Sequence, residues 1–160
     1  LMQIGGFPTD SVTEDYLVTR EFNRGVWTIG YGHAIRYRGI LLRGKETKSL
    51  AYELFPSLSA SGCGILLNAD VIETCANIAP HVRVATDDQW DALVSLSFNI
   101  GVGNFIKSEA RKLHNLGRHA QAADAFLNWT RAGGKRLNGL VLRRERERAM
   151  YLGQKLLDLK

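Results

Sequence analysis

No stretch of this chain approaches the ~20 consecutive apolar residues that span a bilayer, so a transmembrane helix is excluded by composition. Cysteine is nearly absent. The two present, Cys63 and Cys75, lie twelve residues apart, with no CxxC pair and no histidines at finger spacing, which argues against a zinc site. Two thiols buried in a fold are the plain reading of such a pair, and a disulfide between them requires an oxidising compartment. The first residues, Leu1 to Phe7, hold no basic segment followed by an apolar one, so no secretory signal is expected there. Nothing in the composition suggests disorder, a collagen-like repeat or a disulfide-dense scaffold.

What is present is an ordinary globular mixture, 45% apolar and 23% charged over 160 residues. A chain of that length buries ~68–70% of its unfolded surface, as one domain or as two small lobes. The net charge of +5 and the pI near 9.4 predict attraction to an anionic polymer: nucleic acid, a lipid surface or a bacterial cell wall. The cations are uneven, with Arg131, Lys135, Arg136, Arg143, Arg144, Arg146 and Arg148 crowding the last quarter.

Along the chain, the signals to about Thr13 are those of a loop, and Thr13 is placed to cap a short helix from Glu14 to about Arg20. Residues 25–33, Gly-Val-Trp-Thr-Ile-Gly-Tyr-Gly-His, combine β-branched and aromatic residues with regularly spaced glycines and read as strand. Residues 14–45 therefore form a small lobe built on a β-hairpin from about Val18 to Arg38. Helical periodicity takes over afterwards. A short helix from Glu46 to Phe55 stops before Pro56, and a long one, capped by Ser59 or Ser61, runs to about Ile78 and ends at Pro80. Thr86 to Gln89 spells a capping box, and the helix it starts carries Trp90, Leu93, Val94, Ser97 and Phe98 as a core-facing stripe. Gly101-Val102-Gly103 ends that helix. Further helices are expected over Ile106–Leu116, Ala120–Trp129 and about Leu140–Leu157. The architecture expected is α+β, a single domain over residues 1–160 with a hairpin lobe at about 14–45, a helical lobe at about 59–160 and a cleft between them.

Four blocks in this order resemble the phage-type lysozymes, the endolysins that cleave bacterial cell walls. They are the 25–33 segment; Gln89-Trp90-Asp91-Ala92-Leu93-Val94-Ser95 with Phe98 to Phe105; Trp129-Thr130-Arg131-Ala132-Gly133-Gly134; and Gly139-Leu140-Val141 with Arg143-Arg144 and Glu147-Arg148. The resemblance covers about residues 14–152. It implies a lysozyme-like fold, no cofactor, and hydrolysis of the β-1,4 bond between N-acetylmuramic acid and N-acetylglucosamine. Such chemistry needs an acid kept protonated near the glycosidic oxygen and a second polar group on the other face, ~6.5–9.5 Å away where water attacks directly.

By that resemblance the acid stands at the end of the first helix, an aspartate at the start of the hairpin, and a threonine on the adjacent strand. Thr28 takes the threonine position. The usual spacing back from it lands on Thr13, one residue before Glu14, and a one-residue deletion in the connection makes Glu14 the acid. The aspartate position falls on Phe22; if Arg24 is an insertion in the turn, Glu21 stands there. A glutamate is longer by ~1.5 Å and misplaces a reacting water at a cost of perhaps 10²-fold. His33, Phe98, Ser108 and Trp129 match substrate-lining positions. Each has a plainer alternative: Glu14 and Glu21 as solvated carboxylates, Thr28 as a strand residue, His33 as a support of the hairpin, Phe98 and Trp129 as core, Ser108 as a helix hydroxyl. Trp90 and Phe126 read as core, and the arginines at 143, 144, 146 and 148 as a solvated helix face.

Three function classes follow. The first is a muramidase that lyses host cells, made in the host cytoplasm and acting as a monomer on peptidoglycan in the periplasm or outside, without stable membrane insertion. The second is a catalytically weakened lysozyme-fold protein that binds glycan or a protein partner. The third, a nucleic-acid-binding domain, lacks any aromatic–basic stacking pattern or recognition motif, so no nucleic-acid partner is expected.

Overall fold

The computed structural model describes residues 9–15, by their backbone, and residues 25–154. The chain divides into two compact units between Asp70 and Val71. The division falls inside a long helix, Ala60–Ile78.

The first unit is organised by one buried strand. β1 (Thr9–Asp15), β2 (Val26–Gly30) and β3 (His33–Ala34) form an antiparallel sheet in the order β1-β2-β3. β2 is buried along its whole length. Its Trp27 and Ile29 join Ile35, Leu42 and Ala51 in a core flanked by Leu50, Phe55, Leu58 and Leu66. Each of the fully buried isoleucines there contributes ~1.5–3 kcal/mol by leaving water. Trp27 is also fixed by polar contacts: its backbone N–H donates to the Leu42 carbonyl at 3.1 Å and its indole Nε1 to the Gly44 carbonyl at 2.8 Å.

The helix expected from Glu14 does not begin there. Thr13 and Glu14 lie in β1, in register with Thr28 and Trp27, while residues 16–20 of that expectation lie outside the described residues. The reason is tertiary. A strand buried along its length must pair its backbone groups on both edges; β3 covers one edge and β1 the other, and this outweighs the capping propensity of Thr13. The hairpin is correspondingly anchored by residues 9–15; Val18 is itself outside the described residues. Beyond β3, β4 (Arg36–Tyr37) and β5 (Ile40–Leu41) make a separate two-stranded ribbon. A 3-10 turn at Lys45–Thr47 leads into α1 (Lys48–Leu54), which stops at Phe55 as Pro56 requires. α2 runs from Ala60 to Ile78, with the Ser59 hydroxyl accepting from the Gly62 N–H at 3.1 Å. α2 ends at Ile78, ahead of Pro80, as read. Pro80 sits in the first turn of a 3-10 segment, Ala79–His81, where a missing N–H costs nothing.

In the second unit, α3 (Asp87–Ile100) starts with both halves of its capping box formed: Thr86 Oγ1 accepts from the Gln89 N–H, and Gln89 Oε1 accepts from the Thr86 N–H. Six successive residues, Ala92 to Ser97, are buried, so the middle of α3 is enclosed on all sides. Leu93 and Val94 are core as expected. Trp90 and Phe98, at the ends of the stripe, are only half-buried, because the enclosure covers just the central turns.

Gly101 both ends α3 and begins α4 (Val102–Lys107), at a φ of +86° that an L side chain adopts poorly. Val102 and Gly103 are therefore helical, not terminators. The single helix expected over Ile106–Leu116 is two, α4 and α5 (Glu109–Asn115), divided at Ser108. α6 (His119–Ala125), a 3-10 turn at Phe126–Asn128, and the small ribbon β6 (Arg131–Ala132) and β7 (Lys135–Arg136) lead to α7 (Asn138–Tyr151). α7 closes through Gly153 N–H to Met150 O and Gln154 N–H to Ala149 O, both 2.9 Å, a Schellman closure that stops it short of Leu157. Its core gathers Ile78, Leu93, Leu96, Phe105, Phe126 and Tyr151 with small alanines between them. No disulfide joins Cys63, buried, to Cys75, half-buried.

Candidate functional site

β2 positions Thr28. Trp27 and Ile29 turn to the core on one face of the strand, so Thr28 between them takes the other, and it is 8% exposed. Its register partners are Thr13 on β1 and Ala34 on β3. Glu14 lies one register position away, opposite Trp27. The expected acid and the expected threonine thus lie on adjacent strands, but the register sets Thr13, not Glu14, directly across from Thr28. Glu21, the candidate base, lies outside the described residues.

His33, at the start of β3, is half-buried. Its Nδ1 lies 2.8 and 3.0 Å from the two carboxylate oxygens of Asp70, and its ring meets Phe55 edge-on at 6.2 Å. A carboxylate only accepts, so Nδ1 carries the proton and the ring is held in one orientation. Asp70 escaped the sequence reading. Its only signal is an acid on α2, 37 residues from the histidine it meets.

In the second unit the three substrate-lining candidates have distinct surroundings. Ser108 is 4% exposed, and its hydroxyl accepts from the Arg111 N–H at 3.2 Å as the cap of α5. Trp129 is half-buried at the end of the 3-10 turn, packed against the core. Phe98 is half-buried on α3, next to Asn99. Among the described residues no group of three or more His, Cys, Asp or Glu could hold a metal ion.

The arginine-rich helix α7 is not uniformly solvated. Arg144 and Glu147 are not solvated: both are fully buried. Glu147 Oε1 accepts from Ser95 Oγ at 2.6 Å, from Arg143 Nε at 3.0 Å and from Arg144 Nη2 at 3.2 Å, while Arg144 Nη2 also donates to Asn99 Oδ1 at 2.8 Å. Arg144 Nε and Glu147 Oε2 approach to 2.9 Å, off the hydrogen-bonding angle. Burial pushes the Arg144 guanidinium down to about 10, against the pull of Glu147 upward, and it stays charged at neutral pH. The signal was present: residues 140, 144, 147 and 151 share one face of α7, and two of the four are ionic. The sequence reading instead placed Arg144 with Arg143, Arg146 and Arg148 on a solvated face, because charge alone does not show which arginine finds a buried carboxylate.

A second buried polar group joins three helices. Tyr151 and His114 are both 2% exposed. His114 Nε2 faces the Arg83 carbonyl at 3.4 Å, so it carries the ring proton, and Nδ1 accepts from the Tyr151 hydroxyl at 2.6 Å. The Tyr151 oxygen in turn accepts from His119 Nδ1 at 3.1 Å. Burial lowers the His114 pKa below its ordinary value of 6.5 and raises Tyr151 to about 12.

The sequence profile of the family described as Phage lysozyme matches residues 12–147. This chain belongs to that family. The endolysin of Salmonella phage P22 is 38% identical over 131 residues, 81% of this chain and 82% of that protein. A SAR-endolysin of Enterobacteria phage P21 is 36% identical over 129 residues, 80% of this chain and 70% of that one. The endolysin of Bacillus phage B103 is 35% identical over 127 residues, 79% of this chain, but the match spans only 43% of its length. Among solved structures, the muramidase domain of SpmX from Asticaccaulis excentricus superposes with a TM-score of 0.68 at 28% identity, covering 93% of this chain and 89% of that one. A mutant of P22 lysozyme superposes with a TM-score of 0.67 at 32% identity, covering 94% and 93%. The fold is lysozyme-like and α+β, and the family is one of cell-wall hydrolases acting on peptidoglycan.

Proposed function

We propose that the chain is a muramidase that hydrolyses the β-1,4 bond between N-acetylmuramic acid and N-acetylglucosamine. The observation that carries this reading is the match of the Phage lysozyme family profile to residues 12–147, a segment that holds Glu14, Glu21 and Thr28. In this reading Glu14 donates its proton to the leaving glycosidic oxygen while Thr28 helps place the attacking water. Glu21 is the weaker candidate for base. His33, Phe98, Ser108 and Trp129 line the sugar path, the aromatic rings covering apolar sugar faces. The protein works as a monomer, without cofactor, on the cell wall of the host.

One observation favours a second reading, a lysozyme-fold protein that binds glycan without cutting it. Glu14 lies in a strand, whereas the resemblance places the acid at a helix end. Loss of turbidity in a suspension of purified peptidoglycan separates the two. Turnover by the intact chain that vanishes in Glu14→Gln supports the muramidase. No turnover on any peptidoglycan, together with retained sedimentation with it, establishes the binder.

A further inference from the structure

The β4–β5 ribbon has a composition that neither the core nor the proposed chemistry uses. Tyr37 pairs with Ile40 directly across the two strands, which puts both on one face of the ribbon. They are 41% and 72% exposed, and neither belongs to the core of its unit. The turn between them is Arg38-Gly39, with φ of +50° and +81°. Two left-handed residues make the twist-matched hairpin turn, whose first position usually holds Asn or Gly. Arg38 is the only non-glycine residue at positive φ among the described residues, and its guanidinium lies over the Tyr37 ring at 5.2 Å. Arg36 braces the turn by donating from Nη1 to the Gly39 carbonyl at 3.3 Å. Between Glu21 and Glu46 the sequence has no acidic residue, while Arg24, Arg36, Arg38, Arg43 and Lys45 fall in that interval.

We infer that this hairpin tip is a contact site for an anionic phospholipid surface, with Ile40 and Tyr37 entering the interface and Arg36 and Arg38 meeting the phosphates. Charge complementarity selects an anionic partner, and the apolar pair selects a bilayer. A soluble polyanion would engage the arginines and leave Ile40 in water. A bilayer boundary takes up an isoleucine and the apolar body of a tyrosine while guanidinium groups stay at headgroup level. No helix among the described residues is long and apolar enough to cross a membrane.

The test is co-sedimentation of the full chain with vesicles of phosphatidylcholine alone and of phosphatidylcholine with phosphatidylglycerol, at low and high salt. Two variants accompany it. Arg38→Gly relaxes the turn, and Ile40→Thr keeps a β-branched residue in the strand, so both are expected to keep the thermal midpoint and the rate on vesicle-free peptidoglycan. The intact chain should bind the phosphatidylglycerol vesicles in a salt-sensitive way. Arg38→Gly should weaken that binding about fivefold, as the loss of one surface cation does, and Ile40→Thr by a similar factor through lost apolar contact. Absence of binding to the anionic vesicles, or binding unchanged in both variants, overturns the inference. So does equal binding to lipid-free polyglycerol phosphate that is indifferent to Ile40→Thr, which would assign the tip to a phosphate polymer.

Discussion

Glu147 holds a carboxylate without exposed surface among Arg143, Arg144 and Ser95, and the balance there is narrow. Desolvating two ions is repaid only while both remain, because a buried guanidinium without its carboxylate keeps a charge that neither water nor a counter-ion offsets. Glu147→Gln is expected to cost about 3–5 kcal/mol, read as a lower denaturation midpoint, since Arg144 stays charged at neutral pH. Arg146, exposed on the same helix, should be replaceable by alanine with a change of at most about 0.5 kcal/mol. A residue-level reading from sequence treats these arginines alike, and only burial separates them. The His114–Tyr151 pair gives a pH prediction. Since the folded His114 pKa lies below 6.5, the unfolded chain binds a proton that the folded one resists. The stability from this site is therefore complete above pH 6.5 and is lost as pH falls below it through the folded pKa. Tyr151, raised from 10 to about 12, gives the opposite limb, with stability complete below pH 10 and lost as pH rises toward 12. His114→Gln keeps an acceptor for the tyrosine and removes the titration, so its thermal midpoint should fall less between pH 7 and pH 5 than that of the intact chain.

The helices and strands were legible in proportion to how local their causes are. The capping box at Thr86 and the stop before Pro56 depend on neighbours a few residues away, and both formed as read. Thr86→Ala is expected to cost about 1 kcal/mol, measured by chemical denaturation, because it strands an N–H that Thr86 Oγ1 satisfies. Ser108 allows a sharper experiment. As the cap of α5 its loss in Ser108→Ala should cost about 1 kcal/mol of stability. Ser108→Asp keeps a capping acceptor but changes what a sugar would meet. If the lytic rate falls in Ser108→Asp at unchanged thermal midpoint, Ser108 touches glycan; if stability alone falls in the alanine variant while both rates hold, it is a cap only. The division of α4 from α5 at this residue was hidden because the same serine reads equally well as an interior hydroxyl and as a cap.

At the scale of the whole molecule, the reading of function rests on the acid. Glu14→Gln retains size and polarity while removing the proton to be donated, so lysis of purified peptidoglycan should disappear with the thermal midpoint nearly unchanged. Lysis that persists in that variant would move the acid elsewhere in residues 10–25. The sequence alone determined the family, the α+β class, the core helix from Thr86 and the Thr28 strand. These follow from motif order, periodicity and turn chemistry, all of which act over short separations. It did not determine that Glu14 sits in a strand, that Asp70 meets His33, or that Arg144 and Glu147 are buried together. Each of those is a pairing between residues 3 to 37 positions apart or between strand edges, and its free energy exists only once the partner and the dry surroundings are in place. Propensity is a property of the residue, whereas a satisfied backbone edge or a buried ion pair is a property of the packed fold.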